Sequence, residues 1–300
     1  MGIKVGLIDV DGHNFPNLAL MKISAYHKAK GDSVEWAVPV LKYDTVYQSK
    51  VFDFSPDENT SISCDQLIKG GSGYDLENKL PSEIETICPD YSLYGEKKAY
   101  GFLTRGCPRN CPFCVVSRKE GLKSYQVADL RQFWNRQKEI VLLDPNMLAC
   151  GNRLELLQQL IDSKAWVDIT QGLDIRLMAD DVIDKIKQLK LRMLHFAWDR
   201  NKDTDLILRN LESFKMATSL DFRKLRVYVL VNYETEFDFD LYRVYKLKDM
   251  GYDPFVMIYN KKEAPKKTKQ LARFVNNKFI WHSGNLETEK EMRLSLKEAN

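Results

Sequence analysis

The chain has 300 residues, 44% of them apolar and 29% charged, an ordinary balance for a soluble globular protein, with length for one large domain or a medium one with an appendage. Its formal net charge of +3 is too small to argue by itself for a nucleic acid or an acidic membrane as partner. No run of about eighteen apolar residues occurs, and residues 1–13 lack the basic, apolar, small-residue order of a signal peptide, so a cytoplasmic protein without a membrane partner is expected.

From the N-terminus, residues 3–10 read as a short buried strand that ends in a loop. Residues 17–30 follow as a helix, with Leu18, Met21, Ala25 and Ala29 on one face and Gly31 as the stop. Residues 33–38 and 50–54 read as further strands, and residues 62–68 as another element before Gly70, Gly71 and Gly73. These glycines do not form the dinucleotide fingerprint and mark a turn. The βαβ start predicts a small Rossmann-like α/β domain over residues 1–95. Pro81, Pro89 and a lack of periodic apolar positions place the boundary before residue 96.

Beyond that point strand and helix patterns alternate. Residues 99–103 read as a strand leading into a cysteine-rich loop, and Ser124 as the cap of a helix reaching about residue 137, with Val127, Leu130, Phe133 and Trp134 inward. Strands are then expected at 140–143, 166–169, 193–197, 225–231 and 255–259. Helices are expected at 154–162, from Asp180 through Leu189, over Leu206 to Phe214, at 239–248 and near 266–275. Six strand-helix units predict a partial (β/α)6 TIM-type barrel over residues 96–282, with a last short extended element at 276–282 and a charged helix or tail at 283–300. In parallel barrels the reactive groups lie on the loops after the strands. That rule nominates Asp144 and Asn146, then Gln171, Asp174 and Arg176, then Trp198, Asp199 and Asn232.

The loop after the first of these strands holds three of the six cysteines, Cys107, Cys111 and Cys114, at the spacing C-x3-C-x2-C. Three thiolates on one loop can converge on a metal centre and leave one position without a protein ligand. Cysteine thiolates are the usual ligands of iron-sulfur clusters. A closed structural zinc site wants four ligands, and no second C-x2-C or H-x3-H lies nearby. Cys64 and Cys88 have no paired spacing and read as small buried residues. Cys150, just past the second barrel strand, leaves three roles open: a further ligand, a hydrogen-atom relay, or none.

Thr104-Arg105-Gly106 followed by Cys107-Pro108-Arg109-Asn110-Cys111-Pro112-Phe113-Cys114 resembles the signature of the radical S-adenosylmethionine (SAM) superfamily, Phe113 being the aromatic residue before the last cysteine. The resemblance implies a [4Fe-4S] cluster on Cys107, Cys111 and Cys114, and reductive cleavage of SAM to a 5'-deoxyadenosyl radical acting on a substrate the sequence does not name. It further implies an electron donor such as a flavodoxin or ferredoxin, and Phe113 beside the cofactor. Asp144 and Asn146 stand where the superfamily often carries a glycine-glycine-glutamate motif, which is absent here. Arg176 has the forked guanidinium that suits the SAM carboxylate, and Gln171 or Asp174 could accept hydrogen bonds from ribose hydroxyls. Asp174 and Arg176 have an alternative role, pairing with each other or capping the next helix.

A second resemblance, to cobalamin-binding domains, rests on Asp11 and His13 after the first strand, in the place of a D-x-H-x-x-G motif. Pro16 stands where that motif has glycine, so a degenerate or repurposed domain is expected rather than one that binds cobalamin. From another class comes a non-enzymatic, metal-stabilised nucleic-acid-binding protein, using the cysteines structurally and the lysine run at 261–269 for phosphate. That run also reads as a solvated helix face.

Overall fold

The computed structural model describes residues 2–12, 15–57, 61–278 and 281. It is an α/β structure with parallel sheets, divided into two compact units, Met1–Leu143 with Cys150–Trp166, and Asp144–Ala149 with Val167–Asn300.

The first unit opens with β1 (Lys4–Asp9), α1 (Leu18–Ala29), β2 (Ser33–Trp36), β3 (Lys42–Ser49) and β4 (Ser63–Gly70). These strands form a parallel sheet in the order β2-β1-β3-β4. Asn17 caps α1 by accepting the Leu20 N–H, as an Asn at that position should. Val5 and Leu7, two apart on β1, share one face, where they pack with Leu20 and Ile23 of α1 and with Ile84 of the single-turn α2 (Ser82–Glu85).

Two expectations are corrected here. The third strand is β3, not residues 50–54: β3 is paired on both sides, so its polar residues find partners, Asp44 accepting the Lys4 N–H and Gln48 donating to Tyr74. Val51, Phe52 and Phe54 lie exposed on the loop after it. The second is the Rossmann-like pattern, which extends to one βαβ unit, since among the described residues no helix joins β3 to β4. His13 lies outside the described residues, whereas Asp11 ties the loop after β1 to the loop after β3 by accepting the N–H groups of Val51 and Phe52.

The chain continues through β5 (Ala99–Gly101), β6 (Thr104–Arg105), α3 (Val116–Glu120), β7 (Tyr125–Gln126), β8 (Glu139–Leu142) and α4 (Arg153–Ser163). β5 pairs in parallel with β8, Ala99 opposite Ile140, and β6 pairs antiparallel with β7, Thr104 opposite Gln126. The helix expected from Ser124 does not form. Tyr125 and Gln126 are taken by β6, the N–H of Val127 goes to Leu103 O, and Asp129 and Gln132 close a reciprocal capping box around a single 3-10 turn. Arg136 then adopts the left-handed conformation, which no helix interior accepts. Leu130 and Phe133 are buried as the periodicity required, by that turn instead of a helix.

From β9 (Trp166–Ile169) the alternation is regular: α5 (Asp180–Gln188), β10 (Lys190–Ala197), α6 (Thr204–Thr218), β11 (Leu225–Val231), α7 (Phe237–Asp249), β12 (Asp253–Ile258) and α8 (Lys266–Asn276). The hydrogen-bonded order is β12-β11-β10-β9-β8-β5. β12 and β5 are not neighbours in it, so among the described residues no closed barrel is formed. β11 is a nearly continuous apolar run, as a strand covered on both faces must be, and it pairs in parallel with β10 and β12. α5 turns Val182, Ile183 and Ile186 inward, with Asp180 and Asp181 in its first turn and Lys185 and Lys187 in its last, each charge matched to the helix dipole. Of the element expected at 276–282, the described residues Asn276, Lys278 and Trp281 are helical instead of extended: Trp281 donates its N–H to Asn277 O, and its buried ring packs against Phe274 and Tyr245. His282 and residues 283–300 lie outside the described residues.

Candidate functional site: the cysteine loop and the strand ends

The cysteine loop is built from two proline turns. In Cys111-Pro112-Phe113-Cys114 the Cys114 N–H donates to Cys111 O at 3.0 Å, a β-turn with proline at its favoured second position. A β-turn brings its first and fourth residues together, so the x2 spacing makes Cys111 and Cys114 neighbours. Before it, Pro108 and Arg109 make another turn, completed by Asn110 in the left-handed conformation at φ 45°. All three cysteines are half-buried, as is Phe113, while Pro108, Arg109 and Asn110 are exposed.

The base of the loop is fixed by a charged cluster. Arg105 donates to Glu120 at 2.7 Å and to Glu85 at 3.1 Å, and its guanidinium lies 4.0 Å over the Phe102 ring. The second Glu120 oxygen accepts the Gly106 N–H at 3.1 Å, and Gly121 O accepts the Cys107 N–H at 3.1 Å. Lys22 of α1 completes the cluster on Glu85 at 3.0 Å. Burial works against the charges of Lys22 and Arg105: it leaves the Lys22 pKa lowered, whereas Glu85 and Glu120 outweigh it at Arg105 and raise that pKa. Gly106 has φ +82°, and a Cβ there would stand 2.1 Å from Lys123 O, so the position takes only glycine.

All six cysteines are thiols. Among the described residues no three His, Cys, Asp or Glu side chains stand gathered as the ligands of one metal ion. A [4Fe-4S] cube makes a different demand, since each thiolate binds its own iron and the sulfurs stand further apart than around one ion. Three half-buried thiols on one anchored loop have the donor chemistry such a cube needs. Cys150 is buried and directs its thiol to Asn152 Oδ1 at 3.0 Å.

In the second unit the nominated residues fall into distinct settings. Asp144 and Asn146 are buried, 1% and 3% exposed, beside the 3-10 turn Met147–Ala149. Gln171 is exposed. Asp174 caps the turn Ile175–Leu177 and accepts from Arg176 Nε at 2.7 Å, while Arg176 Nη1 reaches Asp203 at 3.1 Å. Burial opposes the Arg176 charge, and the two carboxylates outweigh it and raise its pKa. Asp199 accepts the Leu230 N–H at 3.2 Å, and burial pushes its carboxyl up to about 6 against the pull of that bond, Arg243 and Arg176. His195 is buried, stacked on Tyr228 and bonded to Ile169 O; burial pushes it down to about 4, so it is neutral at pH 7. Trp198 is fully buried among Phe239 and Tyr242, a core residue and not a lining one.

Sequence reasoning missed the pair that holds these ends together. Arg243, with no exposed surface, donates to Trp198 O at the end of β10, to Leu230 O at the end of β11, and to Asp240 at 2.6 Å. Asp240 in turn accepts the N–H of Asn232 and the Thr235 hydroxyl. Asp240 and Arg243 stand three apart on a helix, flanked by Leu241, Val244 and Leu247, and opposite charges on an apolar face were the signal available. Glu120 gave no comparable signal, because its partners come from the far side of the loop. Among the described residues, no helix is long and apolar enough to cross a membrane. No family model matches this chain, and no curated protein matches it.

Proposed function

We propose that the chain is a radical SAM enzyme whose Cys107, Cys111 and Cys114 hold a [4Fe-4S] cluster, within a partial (β/α)6 barrel made by the strand-helix alternation from β5 to α8. Its main support is the loop itself: three thiols, two of them joined by one proline turn, on a base fixed by Arg105, Glu120 and Gly106. When bound, such a cluster with SAM supplies one-electron reductive cleavage, and a 5'-deoxyadenosyl radical, to a substrate otherwise inert. The chain's own residues do the rest. Glu120 and Arg105 hold the Gly106 N–H and the start of the loop, so that the ligating thiols need little reorganisation. Phe113 sets an aromatic face between two ligands. The resemblance also assigns Arg176, whose Nε and Nη1 are held by Asp174 and Asp203, to a carboxylate, and Gln171, Asp174, Asp144 and Asn146 to amine and hydroxyl donors. Asp199, with a pKa near neutrality, can take or give a proton. An electron donor of the flavodoxin or ferredoxin class completes the system.

Anaerobic reconstitution with iron, sulfide, reductant and SAM tests this. The expected result is about four irons and four sulfides per chain, formation of 5'-deoxyadenosine, and loss of both in Cys111→Ala. Zinc without iron, and no SAM cleavage, would overturn it in favour of a structural metal site.

A further inference from the structure

We propose that the second unit carries a binding surface for single-stranded RNA at the exit of β12, formed by Tyr233, Tyr259 and the lysines of residues 261–269. RNA binding needs no cluster, so the inference stands apart from the proposed enzyme activity. Residues 261–273 hold six basic residues and one acidic, Glu263, while the whole chain carries only +3. Lys261, Lys262, Lys266 and Lys269 are exposed. The turn that presents them is fixed: the N–H groups of Glu263 and Ala264 both donate to Asn260 O at 3.1 Å, and Asn260 Nδ2 donates to Glu263 at 2.6 Å.

Helix stability does not explain these lysines. α4, α5, α6 and α7 each place acidic residues in the first turn, where the helix dipole favours them. α8, like α1 and α3, has none there, and it alone of these begins with two lysines, Lys266-Lys267, which the dipole disfavours and an anion would offset. Aromatic surface adjoins the charge. Tyr259, 43% exposed, immediately precedes the turn, and its ring meets Tyr233 edge-on at 4.8 Å. Asn232 holds Tyr259 O at 3.0 Å, so the ring is presented from a fixed backbone. Cations that track phosphates beside rings that stack bases are the two components of single-strand recognition. An anionic membrane fits less well, because Leu271, Ala272, Phe274 and Val275, the apolar face of α8, are already buried and leave nothing to insert.

The test is fluorescence anisotropy of a labelled single-stranded oligouridylate with the full chain, titrated across salt concentrations. The triple variant Lys261→Gln, Lys262→Gln, Lys266→Gln should lower the slope of log affinity against log salt by about two. Tyr259→Ala should weaken binding at least about fivefold while the slope is kept. Lys187→Gln with Lys190→Gln, on α5 and at the start of β10, should change neither. Equal slopes for the wild type and the triple variant, or undiminished binding by Tyr259→Ala, would overturn the proposal. So would lysine-dependent binding to phosphatidylserine vesicles with no binding of the oligouridylate.

Discussion

The cysteine loop of the first unit keeps its three thiols half-buried on a pair of proline turns, whereas the strand ends of the second unit bury Asp240 and Arg243 almost completely, with 2% and 0% of their side chains exposed. At its base the loop is held by Glu120 on the Gly106 N–H and by the main-chain bond from Cys107 to Gly121. The strand ends are cross-linked, since a single guanidinium joins β10, β11 and α7. A loop of the first kind can adjust to a cluster and carries its identity in local spacing. A scaffold of the second kind is rigid, and its polar groups serve one another before they serve any ligand.

Four substitutions press on this difference. The largest effect is expected at Arg243→Ala, which strands Asp240 and two strand-end carbonyls in the core and should cost about 3–5 kcal/mol in urea denaturation. A loss under about 1 kcal/mol would mean that the strand ends are not held by this pair. Gly106→Ala forces a side chain into the left-handed region and against Lys123 O, for about 3 kcal/mol of local strain. Hydrogen exchange should locate that change in residues 104–124, and iron uptake should fall. Glu120→Ala removes a charge-assisted bond to Arg105 and the acceptor of the Gly106 N–H, about 2 kcal/mol together. Its signature is slower cluster incorporation, with a loss in urea denaturation of no more than about that amount.

The smallest effect belongs to Asp199. Its pKa is raised from 3.8 to about 6, so between those values the folded chain binds the proton more tightly than the unfolded one. Asp199 therefore lowers stability as pH rises from about 4 to 6, and the deficit persists above that window. Since the carboxyl keeps some contact with solvent, the deficit is discounted to about 1 kcal/mol. Asp199→Asn should be more stable than the parent at pH 8 and equal to it at pH 4. A constant difference across that range would contradict the raised carboxyl.

Residues 225–231 were legible as a strand because a short, mostly apolar run is bounded by turns, and residues 166–169 because Val167 and Ile169 alternate with Trp166 and Asp168 and are buried while Trp166 is exposed. Residues 124–137 misled because Val127, Leu130, Phe133 and Trp134 repeat at a helical interval, while Asp129 and Gln132 satisfy each other and end the turn at once. Residues 50–54 misled in the opposite sense: Val51, Phe52 and Phe54 look like a strand, but Asp11 draws their backbone into a loop and leaves the rings outside. At the candidate site the cysteines could be read because their chemistry is local in the chain. Glu120 and Asp203 could not, because each acts on groups that only folding brings near.

The most direct measurement is electron paramagnetic resonance of the reconstituted, reduced protein with and without SAM. Three cysteine ligands and one open iron predict a reduced [4Fe-4S] signal whose g values shift when SAM is added, and no such shift in Cys107→Ala, Cys111→Ala or Cys114→Ala. A signal indifferent to SAM, or a protein that takes up zinc and no iron, would contradict the central claim.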